Sequence, residues 1–90
     1  MKFEWDPHKA EINFRKHGIS FDEAGSVFLD RLALSGLDPE HSVGESRYIT
    51  FGTSSLNRLL SVSHTYRPGA IRIISARRVT RGERKLYEEG

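Results

Sequence analysis

Ninety residues, 37% apolar and 29% charged, without a cysteine, describe one ordinary globular domain over residues 1–90; they exclude a disordered chain, a disulfide framework and a thiolate metal site. No stretch nears the ~20 apolar residues of a membrane span, and the N-terminal Met1-Lys2-Phe3-Glu4-Trp5-Asp6 lacks a signal peptide's apolar core, so the expected compartment is the cytoplasm. The formal charge of +2 is unevenly spread: residues 58–85 carry eight Lys/Arg against Glu83 alone, a net +7, whereas residues 1–57 carry −3. In chain order, Phe3–Trp5 reads as a short edge strand. Asp6-Pro7 then opens a helix, with Asp6 as N-cap and Pro7 at the first helical position. That helix runs to about His17, and Gly18 is its left-handed stop. Ser20-Phe21-Asp22-Glu23 is a capping box for a second helix, whose Phe21, Ala24, Gly25 and Phe28 form one apolar face.

After Asp30 the pattern becomes strand-like. Leu32–Ser35 alternates weakly and ends at Gly36, and Asp38–Glu45 reads as a polar connection. Arg47–Thr53 alternates with Ile49 and Phe51 on one face, followed by a turn at Thr53–Asn57. Within Leu59–Tyr66, Leu60, Val62, His64 and Tyr66 share one face while Ser61, Ser63, Thr65 and Arg67 share the other. Arg67-Pro68-Gly69-Ala70 is a tight turn into a strand at Ile71–Arg77. Thr80-Arg81-Gly82-Glu83 is a further capping box, opening a helix through Tyr87. Helices followed by a run of strands predict an α+β fold: two N-terminal helices packed on one face of an antiparallel β-sheet, a C-terminal helix, and the other face partly open.

The blocks Phe3-Glu4-Trp5-Asp6, Lys16-His17-Gly18, Ser20-Phe21-Asp22-Glu23-Ala24 and Val27-Phe28 resemble, in order and spacing, the BrnT toxin family. The likeness continues through Asp38-Pro39-Glu40-His41-Ser42 with Glu45 and Arg47, Ile73-Ile74-Ser75-Ala76-Arg77, Glu83-Arg84 and Tyr87. The resemblance implies a RelE-like fold and ribonuclease activity without a metal. It also implies neutralisation by a BrnA-type antitoxin with a ribbon-helix-helix domain, in a 2:2 heterotetramer. That complex would repress its own operon, touching operator DNA only through the antitoxin. One position departs from the family pattern: His64 stands where members more often carry Tyr, just before Thr65-Tyr66-Arg67.

Metal-free RNA cleavage needs a base for the 2′-OH, cations for the crowded phosphorane and an acid for the leaving 5′-oxygen. Arginine suits the middle task, because its planar fork pairs with phosphate oxygens and stays charged. Arg67 lies on the polar strand face beside the Pro68-Gly69 turn, and Arg77 ends the next strand. In that hairpin the two fall toward opposite ends and need not touch one phosphate. His41 and Glu45 form a candidate base or acid pair, although Glu45 can equally serve Arg47 as an ordinary salt-bridge partner. Lys16 and His17 close the first helix. Their cations suit its dipole, and His17, three residues from the inward Phe14, can be structural or a proton carrier.

Arg47, Arg72, Arg78 and Arg81 are candidate RNA contacts, as is Tyr87, which can stack on a base or simply pack its helix. His64 reads as buried, and Glu83 is taken up by its cap. No His, Asp or Glu spacing suits a metal, no glycine loop cradles a phosphate, and no cofactor is expected. The basic half thus lacks a free base, so the expected site lies between the halves, with proton transfer from His41, Glu45 or His17. The competing reading is a non-catalytic module that uses the basic face only to bind nucleic acid or protein. Uniform, steadily salt-weakened capture by every cation would mark that case.

Overall fold

The computed structural model describes all residues, Met1–Gly90. Strand β1 (Phe3–Glu4) precedes helices α1 (Pro7–His17) and α2 (Phe21–Ser26), the latter prolonged by a 3₁₀ turn at Val27–Leu29. Strand β2 (Leu34–Leu37) leads through a 3₁₀ turn at Pro39–His41 into β3 (Tyr48–Thr53), β4 (Leu59–Arg67) and β5 (Ala70–Arg78), and α3 (Arg81–Glu89) ends the chain. No helix is long and apolar enough to cross a membrane.

The five strands form one sheet in the order β1-β5-β4-β3-β2. Its central pairings are antiparallel, but Phe3 and Glu4 pair in parallel with Ile71 and Arg72. The sheet is therefore mixed, not antiparallel throughout. The two helices that follow β1 let the chain reverse before it enters β2, so β1 meets β5 from the far edge. The fold class is α+β, as the element order implies.

The local end signals hold for α1. Asp6 Oδ1 accepts from the N–H groups of His8 at 2.8 Å and Lys9 at 3.4 Å. At the other end Gly18 adopts φ +70°, and its N–H donates to the Phe14 carbonyl at 2.8 Å. For α2 only half the expected box forms. Ser20 Oγ accepts from Glu23 N–H at 3.0 Å, yet the Glu23 carboxylate turns inward. There it accepts from Ser54 Oγ at 2.6 Å and Arg58 Nε at 2.8 Å. The Arg58 guanidinium holds Glu23 below the usual carboxylate range. The box at α3 is complete: Thr80 Oγ1 accepts from Glu83 N–H at 3.2 Å, and Thr80 N–H donates to Glu83 Oε1 at 2.9 Å.

Strand β2 begins two residues later than the alternation predicts and runs through Gly36. The cause is Asp30, whose Oδ1 accepts from Leu32 N–H at 2.9 Å while its carbonyl accepts from Ala33 N–H at 3.1 Å. These bonds fold residues 30–33 into a turn. Oδ2 of Asp30 also accepts from Thr53 N–H at 2.8 Å, tying that turn to the end of β3.

Ile19, Phe21, Ala24, Val27, Leu60, Val62, Ile73 and Ala76 make the core between the N-terminal helices and the sheet. On β3 it is Thr50 and Gly52 that are buried, so the Ile49/Phe51 face is the open one. Gly52 leaves no room for a side chain: a Cβ there would stand 3.0 Å from both the Cβ and the carbonyl oxygen of Val27. Buried Asn13 is the other unusual core member. Its amide donates to the carbonyls of Ala76 at 2.9 Å and Ile19 at 3.0 Å, and its oxygen accepts from Ala76 N–H at 3.0 Å. Beyond the short β1, the Asn13 side chain thus acts as a surrogate strand along β5. Phe14, expected to face inward, is instead 56% exposed, because α1 turns Asn13 and Ala10 to the sheet.

Candidate active site

The hairpin of β4 and β5 is interrupted by a bulge. Ser63 pairs with Ser75 but His64 pairs with Ile73, so Ile74 is an extra residue that projects on its own. Around it, an open hollow of about 360 Å³ is lined by Lys9, His41, Val43, Glu45, Arg47, Thr65, Arg67, Arg72 and Ile74. Five of the residues singled out from sequence therefore converge here: His41 and Glu45 from the segment before β3, Arg47 from its entrance, Arg67 from the end of β4 and Arg72 from β5. A second hollow of about 220 Å³ adjoins it and shares Lys9 and Ile74. Lys16 and His17 line this one, together with Ile12, Asn13 and Ser75.

Each charged group in the main hollow has a defined partner or none. Arg67 pairs with Glu45, so the ordinary salt bridge that Arg47 could equally have made to that carboxylate does not form. The end of β4 is fastened beside residue 45 by the bond from Thr65 to the Ser46 carbonyl, whereas the Arg47 backbone bonds to Asp38 and Ser42. Arg72 Nη1 donates to Glu4 Oε2 at 2.9 Å. His41 Nδ1 lies 2.7 Å from Asp38 Oδ2. Lys9 and Arg47 form no ion pair, and Thr65 Oγ1 donates to the Ser46 carbonyl at 2.7 Å, fastening the 38–47 segment to β4.

The remaining candidates lie elsewhere. Arg77 sits opposite Ser61 and Arg67 opposite Ala70, a separation along β4 of roughly 20 Å at ~3.3 Å per residue. Both arms of the Arg77 guanidinium donate to Glu83, at 2.8 and 2.9 Å. This fork raises Arg77 above the usual guanidinium value and holds Glu83 below the carboxylate range. Arg78 and Arg81 are exposed at that same end, where β5 passes into α3. Tyr87 is half-buried, its hydroxyl donating to Asp30 Oδ2 at 2.5 Å and lying 3.3 Å from Thr53 Oγ1. It fastens α3 to the sheet, and the bond to Asp30 raises its phenol above the ordinary value.

His64 is fully buried, as its place in the alternation predicts. Its Nε2 lies 2.8 Å from Thr50 Oγ1, Nδ1 has no partner, and the ring meets Phe28, Tyr48 and Tyr66. Burial pushes its pKa from 6.5 down to about 4, so at neutral pH it is an uncharged core residue. Sequence reasoning missed Lys9 and Asp38. Lys9 was within reach, since Lys9, Ile12, Asn13 and Lys16 recur at helical spacing on one side of α1. Asp38 stood in one of the blocks that carry the family resemblance, but nothing in its spacing marked it as a partner of His41.

Four cations, a carboxylate and an imidazole around one open hollow suit a phosphodiester: guanidinium and ammonium groups neutralise it, and the imidazole can move a proton. No group of three or more His, Cys, Asp or Glu side chains converges as metal ligands do.

Comparison with known proteins follows the same line. A family model described as ribonuclease toxin, BrnT, of type II toxin–antitoxin system matches residues 5–83. The crystal structure of the Brucella abortus ribonuclease toxin, BrnT, is similar in fold with a TM-score of 0.66, at 24% identity, covering 90% of this chain and 99% of that one. A search of curated proteins finds no match. The match over residues 5–83 takes in the whole hollow, and the chain belongs to the BrnT family of ribonuclease toxins of type II toxin–antitoxin systems.

Proposed function

We propose that this chain cleaves RNA without a metal, by attack of a ribose 2′-OH on the adjacent phosphate. The observation that carries this reading is the convergence of Lys9, Arg47, Arg67 and Arg72 with His41 and Glu45 in one open hollow. Arg67 and Arg72 hold the phosphate and stabilise the phosphorane, with Arg47 and Lys9 adding positive field. His41 Nε2 takes the 2′-OH proton as O2′ bonds to phosphorus. The bond to the 5′-oxygen then breaks, that oxygen takes a proton from water in the hollow, and the imidazolium returns its own proton to the solvent. The products are a 2′,3′-cyclic phosphate and a 5′-OH end. Glu45 holds Arg67 in place until the phosphate displaces it. Lys16 and His17, in the adjoining hollow, take the phosphate of a flanking nucleotide.

The family match supports an antitoxin as the partner. In this reading it is a BrnA-type ribbon-helix-helix protein in a 2:2 assembly that represses the shared operon, and only the antitoxin touches operator DNA. Released in the cytoplasm, the toxin degrades RNA and so stops translation and growth.

Arg67→Ala tests the assignment. The variant is expected to stay folded and still bind RNA, while losing cleavage by at least ~100-fold. Mapped ends of the wild-type products should carry the cyclic phosphate, with cleavage intact in EDTA. Unchanged cleavage in Arg67→Ala would remove Arg67 from the site. A folded wild-type protein that binds RNA but never cuts it would favour the binding-module reading.

A further inference from the structure

Asp38 uses its side chain in an unusual way for its position. It directly precedes the 3₁₀ turn Pro39–His41, where an aspartate ordinarily turns its carboxylate onto the turn's own N–H groups. Here the carboxylate makes no such cap; its Oδ2 instead meets Nδ1 of His41, 2.7 Å away. The backbone beneath it is tied at three points. Asp38 N–H donates to the Arg47 carbonyl at 2.8 Å, Ser42 Oγ donates to the Asp38 carbonyl at 2.6 Å, and Arg47 N–H donates to Ser42 Oγ at 2.9 Å. These bonds close residues 38–47 into a loop with a rigid neck at the entrance of β3. Within it the Asp38 side chain is 14% exposed and that of His41 59% exposed. The carboxylate is the anchored member of the pair, and the imidazole is the one that reaches the hollow.

An ionised carboxylate only accepts hydrogen bonds, so its contact requires a proton on Nδ1. We propose that Asp38 is a positioning residue that holds His41 in the Nδ1–H tautomer, leaving Nε2 as a bare acceptor for the ribose 2′-OH. The consequence for cleavage rests on His41 being the proton carrier proposed above; the tautomer itself does not. In that role Asp38 does for an RNA-cleaving imidazole what an outer carboxylate does for a metal-bound one, fixing the ring's orientation and its tautomer.

The test is the ¹⁵N spectrum of the His41 ring in the full-length toxin, recorded above the histidine titration range, for wild type, Asp38→Ala and Asp38→Asn. Wild type should show a protonated, pyrrole-type Nδ1 and a bare, pyridine-type Nε2. In both variants the Nε2–H form should become the larger population. Asparagine is isosteric and keeps the loop bonds, but its amide can accept from or donate to Nδ1 and so removes the preference. Cleavage at saturating RNA should fall by roughly 10-fold or more in both, with RNA affinity unchanged. A wild-type ring already in the Nε2–H form, or an Nδ1–H form that persists in both variants, would overturn the proposal. If the tautomer responds as expected while His41→Gln cleaves like wild type, the positioning role of Asp38 stands and the catalytic role of His41 falls.

Discussion

Lowering the pH should destabilise this fold through His64 before any carboxylate is lost. Burial takes the His64 pKa from 6.5 to about 4, so the unfolded chain binds a proton that the folded chain refuses. The charged ring would carry an N–H on Nδ1 with no acceptor, inside a cluster of Phe28, Tyr48 and Tyr66. The stability contributed by keeping the ring neutral is therefore complete above pH 6.5 and is lost as pH falls toward the folded value. Between about pH 7.5 and pH 5 the linkage relation gives a loss of about 2 kcal/mol. Glu23 and Glu83 are held below the carboxylate range and contribute little in that window. Urea unfolding can follow it through the single tryptophan, Trp5, whose ring packs edge-on against Phe21 at 5.9 Å. His64→Phe is the control. It keeps the aromatic contacts, and Thr50 Oγ1 retains Ser35 Oγ at 2.6 Å. Its stability should be nearly flat over the same range. Parallel wild-type and variant profiles would refute the reasoning.

Two further outcomes follow from the placement of individual side chains. Arg77→Gln should leave cleavage at the wild-type level and cost under about 1 kcal/mol, because the fork to Glu83 is partly solvated and far from the hollow; a loss of cleavage like that expected for Arg67→Ala would return Arg77 to the site. Asn13→Ala should lower the unfolding free energy by about 3 kcal/mol, since it strands the N–H and carbonyl of Ala76 and the carbonyl of Ile19 in the interior. A denaturant midpoint that hardly moves would show that water replaces the amide.

Legibility followed the distance over which each feature is decided. The ends of α1, at Asp6-Pro7 and Gly18, and the box Thr80–Glu83 involve partners within four residues, and local rules find them. Glu23 obeys the same local pattern, yet its carboxylate is claimed by Arg58, 35 residues on. The alternation of Ile49 and Phe51 reveals a strand but not which face turns inward; the tight approach of Gly52 to Val27 decides that. The start of β2 moved because one side chain, Asp30, holds both its own turn and Thr53.

The site divides the same way. The Pro68-Gly69 turn already places Arg67 and Arg77 at opposite ends of a hairpin, and the register bears this out. Glu45 found Arg67 rather than Arg47 because a partner 22 residues away is set by how β4 crosses the 38–47 loop, which no spacing rule encodes. Lys9 entered the site because α1 lies along the β5 edge, a packing decision made chiefly by Asn13.

That same asparagine helps to blunt one border of the sheet. A strand edge with free N–H and carbonyl groups is a template for another chain. On the β5 side, a strand of two residues covers Ile71 and Arg72 and one amide side chain covers Ala76. The border on that side is therefore β1 itself, two residues long, while β2 forms the opposite border with four. So short an edge gives an incoming strand little to pair with, and of the two borders β2 is the one that offers a usable row.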